Sequence, residues 1–585
     1  MKSSNFRPYM PPLLLMICGI ALSWPLWHMG FPPQTDDAKC HVAWFAHFSS
    51  QFAAGEWFPR WLPNMNAGLG SPTFFYYPPL ASWMSCVFNF IFSTNDLWLA
   101  VGRSASAALI ASGFAMYAWL QTFVPRRWAF VGALVFLIGP YRNTTDIYVR
   151  GALAEHWAFV WLPLMLWATQ NLVTQSGNRV RAWCASTALF ALLWLTHPPT
   201  VIIFAPVVLA FAVFASSTRS AKSHVITAFA VLTSTFGGAL LSAIYLLPAL
   251  GMESLVWMEE MRVGDFSYEN AFLTLENARG GFRLQAVSLV SLLLMTTCCF
   301  AIVKVARNSN HQMQSRYVNA RFWFAVTLVA VFMTTVLSAP LYAMFSPLAR
   351  IQFPYRWLGV VSVAVAPLVA ETLTCWSQRD IEHSMSRAMM KWRICGATCG
   401  FIALLWISLQ VVYIRKAYPQ FALDAPYISY VNWYVKNGAE MPGHRPRDAR
   451  TLKTDAPALY RKIGKSSPEY ELAEVLRGLG KVRVLENTPR RIELEIAHRG
   501  AQSVIIRVRQ FNFGVWRATS CAKILRVSSS VPDGLILIEV PTSARRVILE
   551  MPPTTSEIWG KNLSFMALAI WMVLLCSTWI RSRKS

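Results

Sequence analysis

Long runs of apolar residues, separated by short polar stretches, dominate the pattern of this 585-residue chain. Each run has about 18–25 residues, the length that a helix needs to cross a hydrocarbon core of roughly 30 Å. Aromatic residues crowd the ends of the runs, as is typical of membrane interfaces. The pattern predicts a polytopic α-helical membrane protein with about twelve spans, at 11–30, 97–123, 128–140, 154–173, 180–196, 199–215, 224–250, 286–305, 322–345, 356–376, 393–413 and 561–580.

Composition and charge narrow the class of protein. A chain with 55% hydrophobic and 14% charged residues is not a soluble biosynthetic enzyme. Its net charge of +24 would suit nucleic-acid binding, but the short loops on one side of the predicted spans are rich in basic residues. These residues are Lys2, Arg7, Arg126, Arg127, Arg179, Arg181, Arg219, Lys222, Lys304, Arg307, Arg316, Arg379, Arg387, Lys391, Arg393, Arg581, Arg583 and Lys584. By the positive-inside rule, we expect these loops and both termini to be cytoplasmic, and nucleic acid is excluded as a main partner.

Polar stretches on the other side predict the domain organisation. A transmembrane domain covers 1–414, and its first outer loop, 31–96, contains an amphipathic helix from Ala38 to Ala54. The apolar piece from Pro79 to Phe92 is short for a span, so we expect it to lie at the interface or to be re-entrant. Residues 415–559 form an outer domain, irregular with some helix over 415–479 and a β-sandwich over 480–559. Residues 560–585 add a final span and a basic cytoplasmic tail.

The strands of the sandwich are predicted from short alternating runs separated by turn residues. They are Val482–Leu485, Ile492–Ile496, Val504–Val508, Leu535–Val540 and Val547–Met551. The chain shows no internal repeat, which disfavours a transporter built from two repeated halves. Eleven cysteines, mostly inside predicted spans, suggest neither a disulfide framework nor a zinc site.

Ionisable residues avoid the middle of the predicted spans and collect at their outer ends. They are Asp36, Asp37, His41, Arg142, Asp146, Tyr148, Arg150, Glu155, His156, His197, Glu259, Glu260, Arg350 and Arg356. Glycosyl transfer from a polyprenyl-phosphate sugar needs such groups. A carboxylate must accept the proton of the attacking hydroxyl, and arginines must stabilise the departing phosphate. A divalent cation held by carboxylate oxygens could assist.

Each candidate also has a simpler explanation. Asp36 and Asp37 could cap a helix, and Asp37 could contact His41 along one helix face. Glu155 could compensate a helix dipole. The arginines could anchor to lipid phosphates, and His197 could be a turn residue before Pro198-Pro199.

Three segments extend this interpretation through a resemblance. The first comprises Asp37-Ala-Lys-Cys-His41, Gly55-Glu-Trp-Phe-Pro-Arg-Trp-Leu-Pro63 and the stretch from Ala67 to Leu80. Tyr148-Val-Arg-Gly-Ala-Leu-Ala-Glu155 and Thr196-His-Pro-Pro-Thr200 are the others. They resemble bacterial GT-C-like membrane proteins of the group called "6-pyruvoyl-tetrahydropterin synthase-related". Phe511 to Trp516 and Asp533 to Pro541 look like the β-domain of YfhO-type glycosyltransferases.

The resemblance implies a polyprenyl-phosphate-sugar donor, an outward-facing active site and a catalytic Asp in the first outer loop. Together with the residues above, it predicts an inverting hexosyl- or pentosyltransferase of the bacterial inner membrane, using an undecaprenyl-phosphate sugar at the periplasmic face. Asp37 is then the expected base, with Asp36 and Glu155 as ligands of Mg²⁺ or Mn²⁺ or as groups that orient the base. Arg150 and Arg356 are expected to bind the donor phosphate, assisted by Arg142, Arg350 and Tyr148, with His41, His156 and His197 in support. The acceptor could be a polysaccharide, a lipid-linked glycan or an envelope protein. A lipid-linked glycan flippase and a non-catalytic envelope scaffold remain as alternatives.

Overall fold

The computed structural model describes residues 9–174, 179–216, 221–273, 283–305, 311–379, 406–418, 444–449 and 470–584. Helices make up nearly all of the part before residue 418. The longer α-helices are Met10–His28, Ala38–Ala53, Leu80–Phe92, Leu97–Leu120, Arg126–Leu137, Leu153–Thr174, Arg179–Thr196, Pro198–Ala215, Ala221–Leu241, Ala243–Gly251, Arg283–Val305, His311–Met333, Leu358–Arg379 and Thr555–Lys584. A π-helix covers Tyr141–Arg150.

Short helical segments connect the longer ones. Four are single-turn or two-turn α-helices, Met65–Gly68, Thr73–Tyr76, Ala339–Met344 and Ser346–Ala349. The 3₁₀ segments are Glu253–Leu255, Met258–Arg262, Gly264–Phe266, Tyr268–Asn270, Val336–Ser338 and Pro354–Trp357. Local chemistry explains several helix starts. The Asp96 side chain accepts hydrogen bonds from the amides of Trp98 and Leu99, and Pro198 occupies the first turn of its helix, where no amide donor is needed.

In the part of the chain that the structure describes, six helices are long and apolar enough to cross a membrane. They are Met10–His28, Leu97–Leu120, Pro198–Ala215, Lys222–Leu241, Pro354–Ser377 and Thr555–Thr578. A seventh span is possible if Arg316–Met333 and Val336–Met344, which meet at 85°, cross together. The larger count of about twelve spans stays a prediction, and the predicted span 393–413 falls mostly outside the described residues.

The C-terminal part contains two antiparallel sheets that share one core. The strands are β1 (Ala473–Arg477), β2 (Gly480–Thr488), β3 (Arg491–His498), β4 (Val504–Phe511), β5 (Arg517–Ser520), β6 (Lys523–Leu525), β7 (Val527–Ser529), β8 (Leu535–Val540) and β9 (Arg546–Glu550). One sheet has the order β1-β4-β8-β7 and the other β2-β3-β9-β5-β6. Inward-facing residues of both sheets, such as Ile506, Ile538 and Leu494, pack together in one buried cluster. The domain is therefore a β-sandwich.

Four of the five predicted strands lie within observed ones, and the fifth, Val547–Met551, ends one residue after β9, but four short strands were not predicted. The first of these, β1, begins at Ala473, so the sheet domain begins before the predicted residue 480. Most of the predicted irregular region 415–479 lies outside the described residues.

The sandwich packs against the first outer loop. The Gln510 side chain accepts a hydrogen bond from Trp61 Nε1 at 3.2 Å and donates to the carbonyls of Pro63 and Gly68 at 3.1 and 2.7 Å. The amide of Phe511 donates to the carbonyl of Leu69 at 2.6 Å. A nearby ion cluster joins Arg60, Arg490 and Glu557, which come from the loop, the sandwich and the C-terminal helix. The outer domain therefore fixes the loop that carries Asp36 and Asp37.

Candidate functional site

A cavity of about 1140 Å³ lies among the first outer loop, the helix ends and the 3₁₀ segments. One part of its wall is charged or polar. The residues there are Asp36, Asp37, His41, Tyr77, Arg150, Glu155, His197, Tyr355 and Arg356. Another part is apolar and includes Trp194, Ile202, Ala239, Leu246, Ala249 and Leu250. The cavity thus offers both a polar end and an apolar wall to one ligand.

The backbone places the aspartate pair beside the end of the π-helix. The amide of Asp36 donates to the carbonyl of Val149 at 3.1 Å, and the amide of Asp37 donates to the carbonyl of Arg150 at 2.7 Å. Gly151 makes this approach possible. Its φ is +67°, a region that favours glycine, and a Cβ there would overlap the Thr35 hydroxyl.

Capping does not account for the Asp37 side chain. Asp37 occupies the N-cap position of the helix Ala38–Ala53, but its carboxylate makes no capping hydrogen bond. The carboxylate is half-buried at the cavity wall, with His41 one helical turn away. It is therefore available for a ligand rather than tied to the helix start.

The surroundings of the polar end shift the pKa values of Asp36 and His41. Asp36 is exposed to the cavity, yet desolvation by the surrounding protein, and secondly the charge of Asp37, raise its pKa to about 6. Burial lowers the pKa of His41 to about 4, so this ring is neutral near pH 7. Near neutral pH, Asp36 therefore carries a negative charge, whereas His41 is uncharged.

A buried ion network holds the two arginines of the polar end. Arg150 Nη1 lies 2.7 Å from Glu155 and 3.1 Å from Asp146, and it donates to the Tyr141 hydroxyl at 3.2 Å. Arg356 Nε lies 3.2 Å from the same oxygen of Glu155. The two guanidinium groups also lie over the ring of Phe353. Among the described residues, the hydrogen bonds of Arg150 run from Nη1 to Tyr141, Asp146 and Glu155, and we expect its other N–H groups to face a ligand.

The expected metal ligation by Glu155 does not fit this geometry. Both oxygens of Glu155 already accept hydrogen bonds, Oε1 from the Tyr141 hydroxyl and Oε2 from Arg150, each at 2.7 Å, and Oε2 also forms an ion pair with Arg356. A cation would have to displace two guanidinium groups to reach it. Within the described ranges, no group of three or more His, Cys, Asp or Glu residues could hold a metal ion. Glu155 is therefore positioned as the counter-charge of the two arginines.

Three of the expected site residues do not reach the cavity wall. Arg142 is fully buried, donates to Ser112 and to the carbonyl of Leu109, and lies over the rings of Phe136 and Phe159. His156 is also fully buried, and its Nε2 contacts the carbonyl of Ala105 at 3.1 Å.

Tyr148, the third of these residues, packs edge-on against Tyr418. These positions correct the prediction that Arg142 and Tyr148 would bind the phosphate and that His156 would support the site from the cavity wall. The physical reason lies in residues 141–153, for which the predicted spans 128–140 and 154–173 on either side indicate an outer loop. The structure has a packed π-helix there, followed by a buried helix start.

Arg350 lies at the mouth of the cavity instead of its polar end. Its guanidinium is 3.4 Å from Glu253, and the same carboxylate is 2.7 Å from Arg262. The three side chains are partly exposed, so these contacts are weak and adjustable. The predicted phosphate contact of Arg350 would require a ligand that reaches this mouth.

The sequence analysis assigned no role to several residues of the site. Asp146 lies in the π-helix and faces Arg150, although the sequence singled it out only as one of many outer charges. The ring centroid of Tyr77 lies 4.6 Å from that of Trp44 and 5.7 Å from that of His41, and the residue belongs to the stretch from Ala67 to Leu80. His444 also lines the cavity, and nothing in the sequence around it indicated this.

Comparison with known proteins gives only distant likenesses. Neither a protein-family model nor a curated protein matches this chain. The apo oligosaccharyltransferase of Archaeoglobus fulgidus superposes with a TM-score of 0.38 and 11% identity, over 76% of this chain and 62% of that one. This chain thus spans less than two thirds of that enzyme's length.

ArnT from Cupriavidus metallidurans gives a similar result. In the apo state it superposes with a TM-score of 0.27 and 14% identity, over 63% of this chain and 78% of that one. The form bound to undecaprenyl phosphate gives 0.27 and 15%, over 63% and 79%. At such TM-scores the likeness carries no argument, so the GT-C-like fold and the YfhO-type subgroup stay predictions.

Proposed function

We propose that this membrane protein is an inverting glycosyltransferase that moves a sugar from an undecaprenyl-phosphate donor to a hydroxyl of a cell-envelope acceptor. One observation carries the proposal. The same cavity contains the carboxylates of Asp36 and Asp37, a buried pair of arginines and an apolar wall. The Asp37 carboxylate makes no capping hydrogen bond. A lipid-linked phosphosugar has a matching order of parts, namely an apolar tail, an anion and a reactive sugar carbon.

In the proposed reaction, the acceptor oxygen attacks the anomeric carbon while the Asp37 carboxylate accepts the hydroxyl proton. The bond between that carbon and the phosphate oxygen breaks, and the lipid phosphate leaves with the electron pair. Arg150 and Arg356 stabilise the developing charge through charge-assisted hydrogen bonds. Glu155 and Asp146 keep both arginines oriented. Asp36 lies beside Asp37, and its negative charge helps the Asp37 carboxylate to accept the proton.

The proposal includes a location. The donor site faces the periplasm of the bacterial inner membrane, on the side of the sandwich domain, and both termini are cytoplasmic. The basic loops support this orientation through the positive-inside rule. The transferred sugar is a hexose or a pentose.

Envelope glycans of a deletion strain test this function. The strain is complemented with wild type, Asp37→Asn, Asp36→Asn or, as a control, Glu259→Gln, whose carboxylate pairs with Arg447 outside the polar end. We expect wild type and the control to restore the glycan, and Asp37→Asn to lower transfer by about 10²–10⁴-fold. Unchanged glycan with both aspartate variants expressed normally would overturn the proposal. Labelled lipid-linked sugar that crosses the membrane but is never transferred would instead identify a flippase.

A further inference from the structure

His197 lies in the cavity wall with one ring nitrogen engaged. It connects the helices Arg179–Thr196 and Pro198–Ala215, and its Nδ1 is 2.6 Å from the Thr200 hydroxyl. The side chain is buried but borders the cavity. Burial, and secondly the charge of Arg356, lower its pKa to about 3, so the ring is neutral near pH 7. A neutral imidazole can either donate or accept from its second nitrogen, depending on its tautomer.

A second, very small cavity lies behind this residue. Its volume is about 10 Å³, close to the volume that one water molecule requires. Its polar lining comes from Glu155, Thr200 and Arg356, while the remaining wall is apolar or backbone. A water molecule there would have three polar partners, which is the usual number for a buried water.

The chemistry of these partners determines the direction of each hydrogen bond. An ionised carboxylate only accepts and a guanidinium only donates. The water therefore accepts from Arg356 and donates one hydrogen to Glu155. Its second hydrogen is used only in the arrangement in which the Thr200 oxygen accepts it, and this is the arrangement that satisfies every donor. With that oxygen accepting, the Thr200 hydroxyl hydrogen is directed to Nδ1 of His197.

We propose that a buried water held by Glu155, Thr200 and Arg356 fixes His197 in the tautomer that carries its proton on Nε2. His197 is then a neutral hydrogen-bond donor at the cavity wall, and Thr200 is the residue that positions its proton. Its role toward a phosphate rests on the proposed function. There the Nε2–H would donate to the leaving phosphate oxygen, which gains charge as the bond to the sugar breaks. The opposite tautomer would place a lone pair against that oxygen.

Nitrogen NMR of ¹⁵N-histidine-labelled protein in lipid bilayers tests the tautomer directly. The His197 signals are identified by their loss in His197→Gln. We expect wild type to carry the proton on Nε2, Thr200→Val to show both tautomers, and Thr200→Ser to resemble wild type. A proton on Nδ1 in wild type, or an unchanged tautomer in Thr200→Val, would overturn the inference. Equal unfolding midpoints of Thr200→Val and Thr200→Ser would exclude a general structural effect.

Undecaprenyl phosphate then serves as the probe for the phosphate role. We expect its addition to shift the Nε2–H signal of wild type and of Thr200→Ser. In transfer assays, Thr200→Val should lower kcat about tenfold with little change in KM, and His197→Ala should lower kcat about 10²-fold. His197→Gln keeps an N–H near the same position and should retain more activity than His197→Ala. If the tautomer is as expected but undecaprenyl phosphate shifts nothing, the tautomer stands and the phosphate role is overturned.

Discussion

Glu155 shows how one buried carboxylate can fix two cations. Its side chain is almost inaccessible, and it contacts both Arg150 and Arg356. Replacing one partner of a buried ion network leaves an uncompensated charge, which costs about 3–5 kcal/mol. We therefore expect Glu155→Gln to lower the free energy of unfolding by several kcal/mol, in addition to any effect on transfer.

Thermal unfolding in detergent measures this effect against the control Glu259→Gln. The Glu259–Arg447 pair is about half exposed, so its loss should cost at most about 1 kcal/mol. Equal unfolding midpoints for the two variants would contradict the role of Glu155 as a counter-charge.

Asp36 makes a prediction about pH. Its folded-state pKa, raised to about 6, means that it holds a proton below that pH and is an anion above it. If the charge of Asp36 helps Asp37 to accept a proton, transfer should fall as the pH decreases through about 6. The variant Asp36→Asn, which cannot titrate there, should lose this limb of the pH profile. Transfer rates of wild type and Asp36→Asn between about pH 5 and 8 test this prediction. The same loss of activity at acid pH in both proteins would show that Asp36 is not the titrating group.

For single residues, the sequence predicted which charged side chains lie near one another better than it predicted whether each faces a ligand or a packed neighbour. Asp36, Asp37, Arg150, Glu155 and Arg356 were all predicted to act together, and the structure places them around one cavity. Their roles remain proposals. Arg142 and His156 show the limit, because an arginine or histidine near a span end has the same sequence signal whether it faces a ligand or a packed neighbour.

Among the elements, the π-helix Tyr141–Arg150 explains most about the site. The sequence predicted an outer loop over this segment, since Gly139-Pro140 and several polar residues interrupt the apolar pattern. The structure buries nine of its ten residues. A π-helix depends on bonds between residues five apart and on tertiary packing, neither of which leaves a periodicity that the sequence could show. Such segments are frequent at functional sites.

Gly151, which follows the π-helix, supplies a second prediction. In Gly151→Ala the new Cβ would meet the Thr35 hydroxyl at a left-handed backbone position. A left-handed backbone conformation alone destabilises the folded state by about 1–2 kcal/mol when the residue is alanine. The overlap of the new Cβ with the Thr35 hydroxyl destabilises it further. The matched control is Gly264→Ala, because Gly264 has a φ of +59° and open space around its Cβ position.

We expect Gly151→Ala to unfold at a lower temperature than Gly264→Ala and to lose transfer activity, because the bond between Asp37 and the carbonyl of Arg150 is displaced. Similar midpoints and activities for the two alanine variants would mean that the contact with Thr35 does not matter.

For the whole molecule, the decisive contact is between the sandwich and the first outer loop. Gln510 makes three hydrogen bonds to that loop and is almost fully buried. Gln510→Met keeps the size of the side chain but leaves the indole N–H of Trp61 and two carbonyls without partners, at about 1–3 kcal/mol for each buried group. We expect faster proteolytic cleavage within 56–72 and a lower unfolding temperature.

Arg507→Met is the control on the same strand, because Arg507 pairs with Glu474 and does not contact the loop. Its effect should stay within about 0.5 kcal/mol. Equal cleavage rates for the two variants would show that the sandwich does not hold the loop.

At this scale the sequence predicted the parts but not their arrangement. Apolar runs and alternating strands indicated a helical membrane region followed by a sandwich, and both are present. The contact between Trp61 and Gln510 joins residues 449 positions apart, and no local pattern connects them. The bend of 85° after Met333 was likewise missed, because apolar composition alone does not distinguish a straight helix from a broken one.

The 449 positions between Trp61 and Gln510 have a consequence for biosynthesis. A ribosome that adds about 5–20 residues per second needs roughly 20–90 s to make the chain between Trp61 and Gln510. During that time the first outer loop, with both aspartates, has already been synthesised but lacks the strand that holds it. A nascent or prematurely terminated chain would therefore have an unfinished site, and the protein would become competent only when its last domain has folded.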